Sequence, residues 1–548
     1  MKKLSAVLFA LLPTIGFANT QIIHNVNGYT PTKNEIHQFS AVAFANGKIT
    51  ALYQDNSELP KSDDITYIDG KGKTLLPGLI DAHGHVLGYG LGISRVNLMG
   101  VNSELEAVKK VQAFYQDANQ QSWLLGRGWN QVIWPSNSFP TKASLDKVFP
   151  NTPVWLKRVD GHAGWANTAA LKLAGITAST VSPSGGEIIK DNNGEPTGVF
   201  IDNAMYLIDK AIAPMSVTQE AQVLKQAMNS LASQGLTSVH DAGISKQTID
   251  AYQLLASDNA MPIRIYAMAD ATDKEFDSTL KQGHITSDKA DFVMRSVKIS
   301  ADGALGSRGA ALHKSYSDKD NHHGLLLHEP EALTALIEKS MLAGFQVNTH
   351  AIGDKANTLV LDNYETLMPK TKTKALRHRV EHAQILQLSD IPRFAQLGVI
   401  PSMQATHATS DKNMAEDRLG KARLGGAYAW RKLLNTGVKI ANGSDFPVEY
   451  ANPFYGLHAA ITRQDHNNQP LGGWLEKEKM TRQEALVSFT IDAAYAGHQE
   501  HQIGSIEIGK MADFILVDKD FFKADETTLW QTNVSKTWVG GNLVHSQE

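Results

Sequence analysis

Short apolar runs separated by stretches with helical spacing fill the middle of the chain. They read as strands over Thr74–Asp81, Leu236–His240, Ile263–Met268, Val293–Ile299, Gln346–His350, His378–His382, Val399–Met403 and Lys439–Ser444. Strands that alternate with helices mark βα units and a parallel sheet. Eight such runs in this order predict an α/β chain built on a (β/α)8 TIM barrel rather than an open doubly wound sheet.

The two ends read differently. Ala41-Val-Ala-Phe and Lys48-Ile-Thr-Ala-Leu-Tyr flank Asn46-Gly47, a hairpin signal, and the last fifty or so residues return to short strands. The pattern predicts a discontinuous β-sandwich from residues 19–77 plus 496–548, around a barrel over 78–495. A segment at about 100–228 is too long for one βα step. It carries Gly/Pro-rich turns and Trp123, Trp129, Trp134, Trp155 and Trp165 among the nine tryptophans of the chain. It is expected to lie over the barrel mouth and shape an apolar substrate pocket.

Residues 1–18 open with Lys2-Lys3, continue as an apolar run and end in Gly16-Phe-Ala18, the pattern of a signal peptide cleaved near Ala18. The run falls short of the roughly 20 apolar residues that span a bilayer. A periplasmic or secreted protein without a stable membrane anchor is the expectation.

Composition narrows the chemistry. With 42% apolar residues, 20% charged residues and a net charge of −4, the chain can bury a large core and has no basic stripe for nucleic acid. It contains no cysteine, which excludes disulfides and thiolate ligands. Any metal must be held by nitrogen and oxygen.

Several of the apolar runs end in residues that do chemistry, and on a barrel those ends share the rim where active sites form. His83 and His85, two apart, share one face of an extended strand and can grip one ion. His350 and His382 add imidazoles, and Asp445 adds a carboxylate able to hold a metal and take a proton from water. Imidazole suits Zn²⁺. Lys298 is the odd member, because an ammonium cannot ligate a cation and is costly to bury unpaired. It is expected to pair with a carboxylate such as Asp302 or to be carboxylated by CO₂. His240 is a candidate for ligation or substrate contact, although a structural hydrogen bond also accounts for it; His162 and Arg308 are loop candidates for substrate contact, and Asp302 is a further candidate for it.

With these residues in this order, the chain resembles the amidohydrolase superfamily, in its amidohydrolase 3 or YtcJ-like branch. Leu76-Pro-Gly-Leu-Ile-Asp-Ala-His-Gly-His, the run Asp302 to Arg308 and Gly509-Lys-Met-Ala-Asp-Phe-Ile-Leu-Val-Asp carry the resemblance over nearly the whole chain. It implies a site of one or two divalent ions, Zn²⁺ or similar, held by His83, His85, His350, His382 and Asp445, with Lys298 as a carboxylated bridge in the binuclear case.

The expected reaction is hydrolysis of a non-peptide carbon–nitrogen bond in a small molecule, an N-acyl or N-formyl amide, with Asp445 as proton acceptor and donor. The same site suits deamination or lactone and ester hydrolysis. The resemblance extends to exoenzyme regulatory proteins, so a secreted non-enzymatic regulator is the remaining alternative. A homodimer is compatible with the sequence.

Overall fold

The computed structural model describes residues 20–32, 35–115, 123–158, 163–183, 186–306 and 308–547. The segment read as a signal peptide and the loop residue His162 lie outside the described residues. The chain forms two compact units, Met1–His85 with Met228–Glu548, and Val86–Ala227.

The first unit is built on eight parallel strands in barrel order: β1 (Leu79–Gly84), β2 (Leu236–Ile244), β3 (Arg264–Asp270), β4 (Phe292–Ser300), β5 (Gln346–Ala351), β6 (Arg379–His382), β7 (Ile400–Gln404) and β8 (Ala441–Gly443). Hydrogen-bonded pairing runs from β1 through β2, β3 and onward to β8. The barrel is nearly closed, and its seam is drawn together just beyond β8: Asp445 donates its N–H to the His83 carbonyl at 2.7 Å, and His85 donates to the Phe446 carbonyl at 2.8 Å. Gly443 is needed there, since a Cβ would stand 2.6 Å from both the Asp81 carboxylate and the His83 nitrogen.

The expected strand Thr74–Asp81 is in fact two. Thr74–Pro77 pairs with Phe514–Val517 in an outer sheet, while β1 begins at Leu79. Gly78 makes the change of sheet feasible, because any Cβ there would lie 2.2 Å from the Thr237 hydroxyl. That outer sheet has six strands drawn from both chain ends, and a second sheet of four is formed by Lys48–Tyr53, Ala41–Ala45, Thr20–His24 and Ile65–Asp69. Ile23, Val42, Phe44, Leu75, Phe514 and Trp538 pack in one apolar cluster. The hairpin at Asn46-Gly47 has positive φ at both residues (51° and 78°), as a two-residue turn demands.

The second unit has a six-stranded sheet of its own, in the order Gly186–Lys190, Pro196–Asp202, Ala163–Ala166, Val154–Arg158, Leu124–Trp129 and Val96–Asn97. Its five tryptophans pack in the unit's own core. They range from fully buried to 8% exposed and belong to the unit's two apolar clusters. Four of the indole N–H groups are spent on internal acceptors: Trp129 on the Leu156 carbonyl, Trp134 on Val101, Trp165 on Thr141 and Trp155 on the Asp209 carboxylate. A large ring with one donor packs stably when that donor is paired, and these are. Among the described residues no helix is long and apolar enough to cross a membrane.

Candidate metal centre

The β5 and β6 register places His350 opposite Glu381 and Ala351 opposite His382. Along β6, alternation turns Arg379 and Glu381 inward, so His382 alone of that trio would face away. Its φ of 75° breaks the alternation and brings its ring within 4.8 Å of His83 and 4.5 Å of His350, centre to centre. Asp445, just beyond β8, is likewise left-handed at φ 62°. Two non-glycine residues in this strained region at one site are a mark of function.

The Asp445 carboxylate is the hub. One oxygen, Oδ1, lies 3.1 Å from His85 Nε2 and 3.6 Å from His83 Nε2; the other, Oδ2, lies 3.6 Å from His407 Nε2. Two ligand groups with donor atoms within 4.8 Å of one another therefore meet at this residue: His83, His85 and Asp445, and His382, His407 and Asp445.

Each of three imidazoles is aimed by a partner on its other nitrogen. His83 Nδ1 donates to Glu381 Oε2 at 2.5 Å, His85 Nδ1 to the Ala242 carbonyl at 2.8 Å, and His382 Nδ1 to Gln404 Oε1 at 2.7 Å. With a cation bound, that leaves Nε2 with its lone pair toward the centre, which is how metal-ligating histidines are usually held. His350 Nε2 and His407 Nε2 are buried and take no hydrogen bond. Buried polar atoms without partners are rare in folded proteins. These residues fit a divalent cation.

Burial shifts the charges accordingly. Desolvation, with the Lys298 amine nearby, pulls His83 down to about 4, and desolvation pulls His350 down to about 3. Burial alone would raise Asp445, but the His85 hydrogen bond and the imidazoles of His83, His382 and His407 hold it well below the ordinary carboxylate range. Glu381 is treated the same way: burial opposes ionisation, yet Arg379 and His83 hold it down to about 2. Neutral imidazoles and an ionised carboxylate are the protonation states a cation requires.

Lys298 does not pair with Asp302. Its amine lies 3.2 Å from His83 Nε2. Asp302, 1% exposed, instead accepts from the backbone N–H groups of Ala311, Ile352 and Gly353, tying together the loops that follow β4 and β5. These bonds and its burial make Asp302 a brace of the loops at the site. His240 is fully buried, receives a 3.0 Å hydrogen bond from Arg379 and packs on Tyr266, which makes it part of the floor rather than a contact for substrate. Arg308 is engaged by both oxygens of Asp318, at 3.0 and 2.8 Å.

Reading strand ends alone missed the supports. Arg379 and Glu381 form a fully buried ion pair at 2.7 Å; Arg379 also holds the Ala82 carbonyl and the Ser402 hydroxyl. Their i, i+2 spacing was visible beside His382. Asp81 accepts from the His83 N–H and from the Ser444 hydroxyl and N–H, locking the seam. His407 escaped because it stands in the helix Ala405–Asp411, beyond the end of β7.

Comparison with known proteins gives this centre a family. Residues 66–545 match the model of the amidohydrolase family, and the chain belongs to it. It is 33% identical to the protein LONG AFTER FAR-RED 3 of Arabidopsis thaliana over 98% of this chain and 94% of that one. It is 27% identical to the N-substituted formamide deformylase of Arthrobacter pascens, covering 92% and 94%. The crystal structure of an uncharacterized metal-dependent hydrolase from Pyrococcus furiosus superposes with a TM-score of 0.77 at 25% identity, covering 92% of this chain and all of that one.

Proposed function

We propose that this metal-dependent hydrolase cleaves the carbon–nitrogen bond of an N-acyl or N-formyl amide in a small molecule, with Zn²⁺ as its cation. The observation that carries the reading is Asp445, whose two oxygens face separate histidines at the closing seam of the barrel. The likeness to an N-substituted formamide deformylase over nearly the whole chain supports the amide class.

When bound at this site, a divalent cation supplies Lewis acidity, polarising a carbonyl and making water acidic near neutral pH. The protein's part is to position and to move a proton. Glu381, the Ala242 carbonyl and Gln404 fix three imidazoles in the ligating tautomer. Asp445 takes the proton of the attacking water as oxygen adds to the amide carbon, and returns it to the nitrogen as the carbon–nitrogen bond breaks. Lys298, buried beside His83, would join the ligand set through carboxylation of its amine.

The test is turnover of N-formyl and N-acyl amines and amino acids by purified protein, before and after chelation, with products identified. Release of a carboxylic acid and an amine, lost on chelation and restored by Zn²⁺, is expected. Release of ammonia in place of an organic amine would point to deamination. No metal-dependent turnover of any amide would overturn the reading.

A further inference from the structure

The inside of a (β/α)8 barrel is ordinarily filled by layers of bulky apolar side chains. Beneath this metal centre it is polar. On β2, His240 is fully buried two residues before Ala242, whose carbonyl holds His85. Its Nδ1 accepts from Arg379 Nη1 at 3.0 Å; Arg379 pairs with Glu381, and Glu381 holds His83 Nδ1. One chain of polar contacts therefore runs from His83 down to His240.

There it meets two unsatisfied atoms. Burial and the neighbouring Arg379 guanidinium hold His240 well below its ordinary range, so the ring is neutral. With Nδ1 accepting, the ring proton sits on Nε2, and that buried donor has no acceptor among the described residues. Gln499, 6% exposed, buries an Oε1 that has no donor. Both atoms border one hollow: a Cβ on Gly497 would stand 3.0 Å from His240 Nε2 and 3.3 Å from Gln499 Oε1. Gly497 has a φ of −93°, which any residue adopts, so its missing side chain serves this space rather than its backbone. The molecule that suits a buried N–H on one side and a carbonyl oxygen on the other accepts once and donates once. Water does both, and buried water ordinarily makes two to four such bonds.

We propose that one water molecule binds in the hollow over Gly497, accepting from His240 Nε2 and donating to Gln499 Oε1, and that through it the base of the barrel positions His83. This rests on the reading of the site as a metal centre. His240 and Gln499 are then positioning residues: the water fixes the His240 ring, which holds Arg379, which sets the Glu381 carboxylate that aims His83. Supporting partners of this kind tune the affinity of a metal site without touching the ion.

The experiment is a high-resolution crystal structure of the Zn²⁺-loaded full chain, with Zn²⁺ affinity measured for the wild type and for Gly497→Ala, Gly497→Ser and Gln499→Met, folding being checked by circular dichroism. A water within hydrogen-bond distance of both His240 Nε2 and Gln499 Oε1 is expected in the wild type. Gly497→Ala puts a methyl group in the hollow and should weaken Zn²⁺ binding about 10-fold, the lower end of what the supporting partners of ligands are worth. Gly497→Ser adds the same Cβ with a hydroxyl that can stand in for the water, and should recover most of that loss. Gln499→Met should match Gly497→Ala, and the two combined should lose little more, since each removes the same bridge. A direct His240–Gln499 hydrogen bond with no water, or wild-type affinity in a folded Gly497→Ala or Gln499→Met chain, would overturn the proposal while leaving the metal centre intact. Equal losses in Gly497→Ala and Gly497→Ser would mark crowding by Cβ and overturn it too. No Zn²⁺ in the wild type would overturn the metal centre itself.

Discussion

The barrel rim and the Trp-rich unit both concentrate unusual residues, and both bury them, yet they bury them in opposite ways. In the unit spanning residues 86–227, four buried indoles spend their N–H on an internal acceptor. At the rim, His350 and His407 bury a ring nitrogen that nothing inside the protein satisfies, and His382 and Asp445 adopt left-handed backbones. Desolvating a polar group without compensation costs about 1–3 kcal/mol, so a fold keeps such groups only where something else repays it. At the rim it is the coincidence of unsatisfied burial, strained backbone and convergent ligand atoms that marks a site.

Four substitutions separate the two kinds of burial. The largest effect is expected for Asp445→Asn, which keeps the shape and removes the base: kcat should fall about 100–10,000-fold with the folded structure retained by circular dichroism. A modest loss would mean that Asp445 only ligates. Trp165→Ala should instead cost about 3–5 kcal/mol in urea unfolding and leave the cation affinity of the folded protein unchanged. Loss of cation binding without loss of stability would reverse the contrast between the two regions.

Glu381→Gln leaves His83 with a neutral partner and should weaken cation binding about 10–100-fold, read by competition with a chromophoric chelator. Unchanged affinity would make the Glu381–Arg379 pair a purely structural element of the barrel. The smallest effect is expected for Arg308→Ala, since its ion pair with Asp318 is partly exposed and screened by solvent. KM should not move. A clear rise in KM would return Arg308 to the substrate.

Local pattern was enough to read the parallel strands and the residues His83, His85, His350, His382 and Asp445, because strand ends are written in apolar runs and barrel topology sends all of them to one face. It was not enough for Glu381, whose role depends on a His83 that is 298 positions away in sequence. Nor was it enough for His407, which lies past its strand on a helix and reaches the centre only through the β7 and β8 pairing. Spacing read Asp302 as a partner for Lys298, whereas the folded chain turned it toward three backbone N–H groups that no periodicity marks.

By itself, then, the sequence determined the class of fold, the absence of thiolate chemistry and some of the side chains that meet at the rim. Only the tertiary structure decided which donors converge, which are fixed in tautomer and which indoles belong to a core. The physical reason is that periodicity reports the direction of a side chain relative to its own strand or helix, while coordination and desolvation depend on distances between elements that the chain brings together across hundreds of residues.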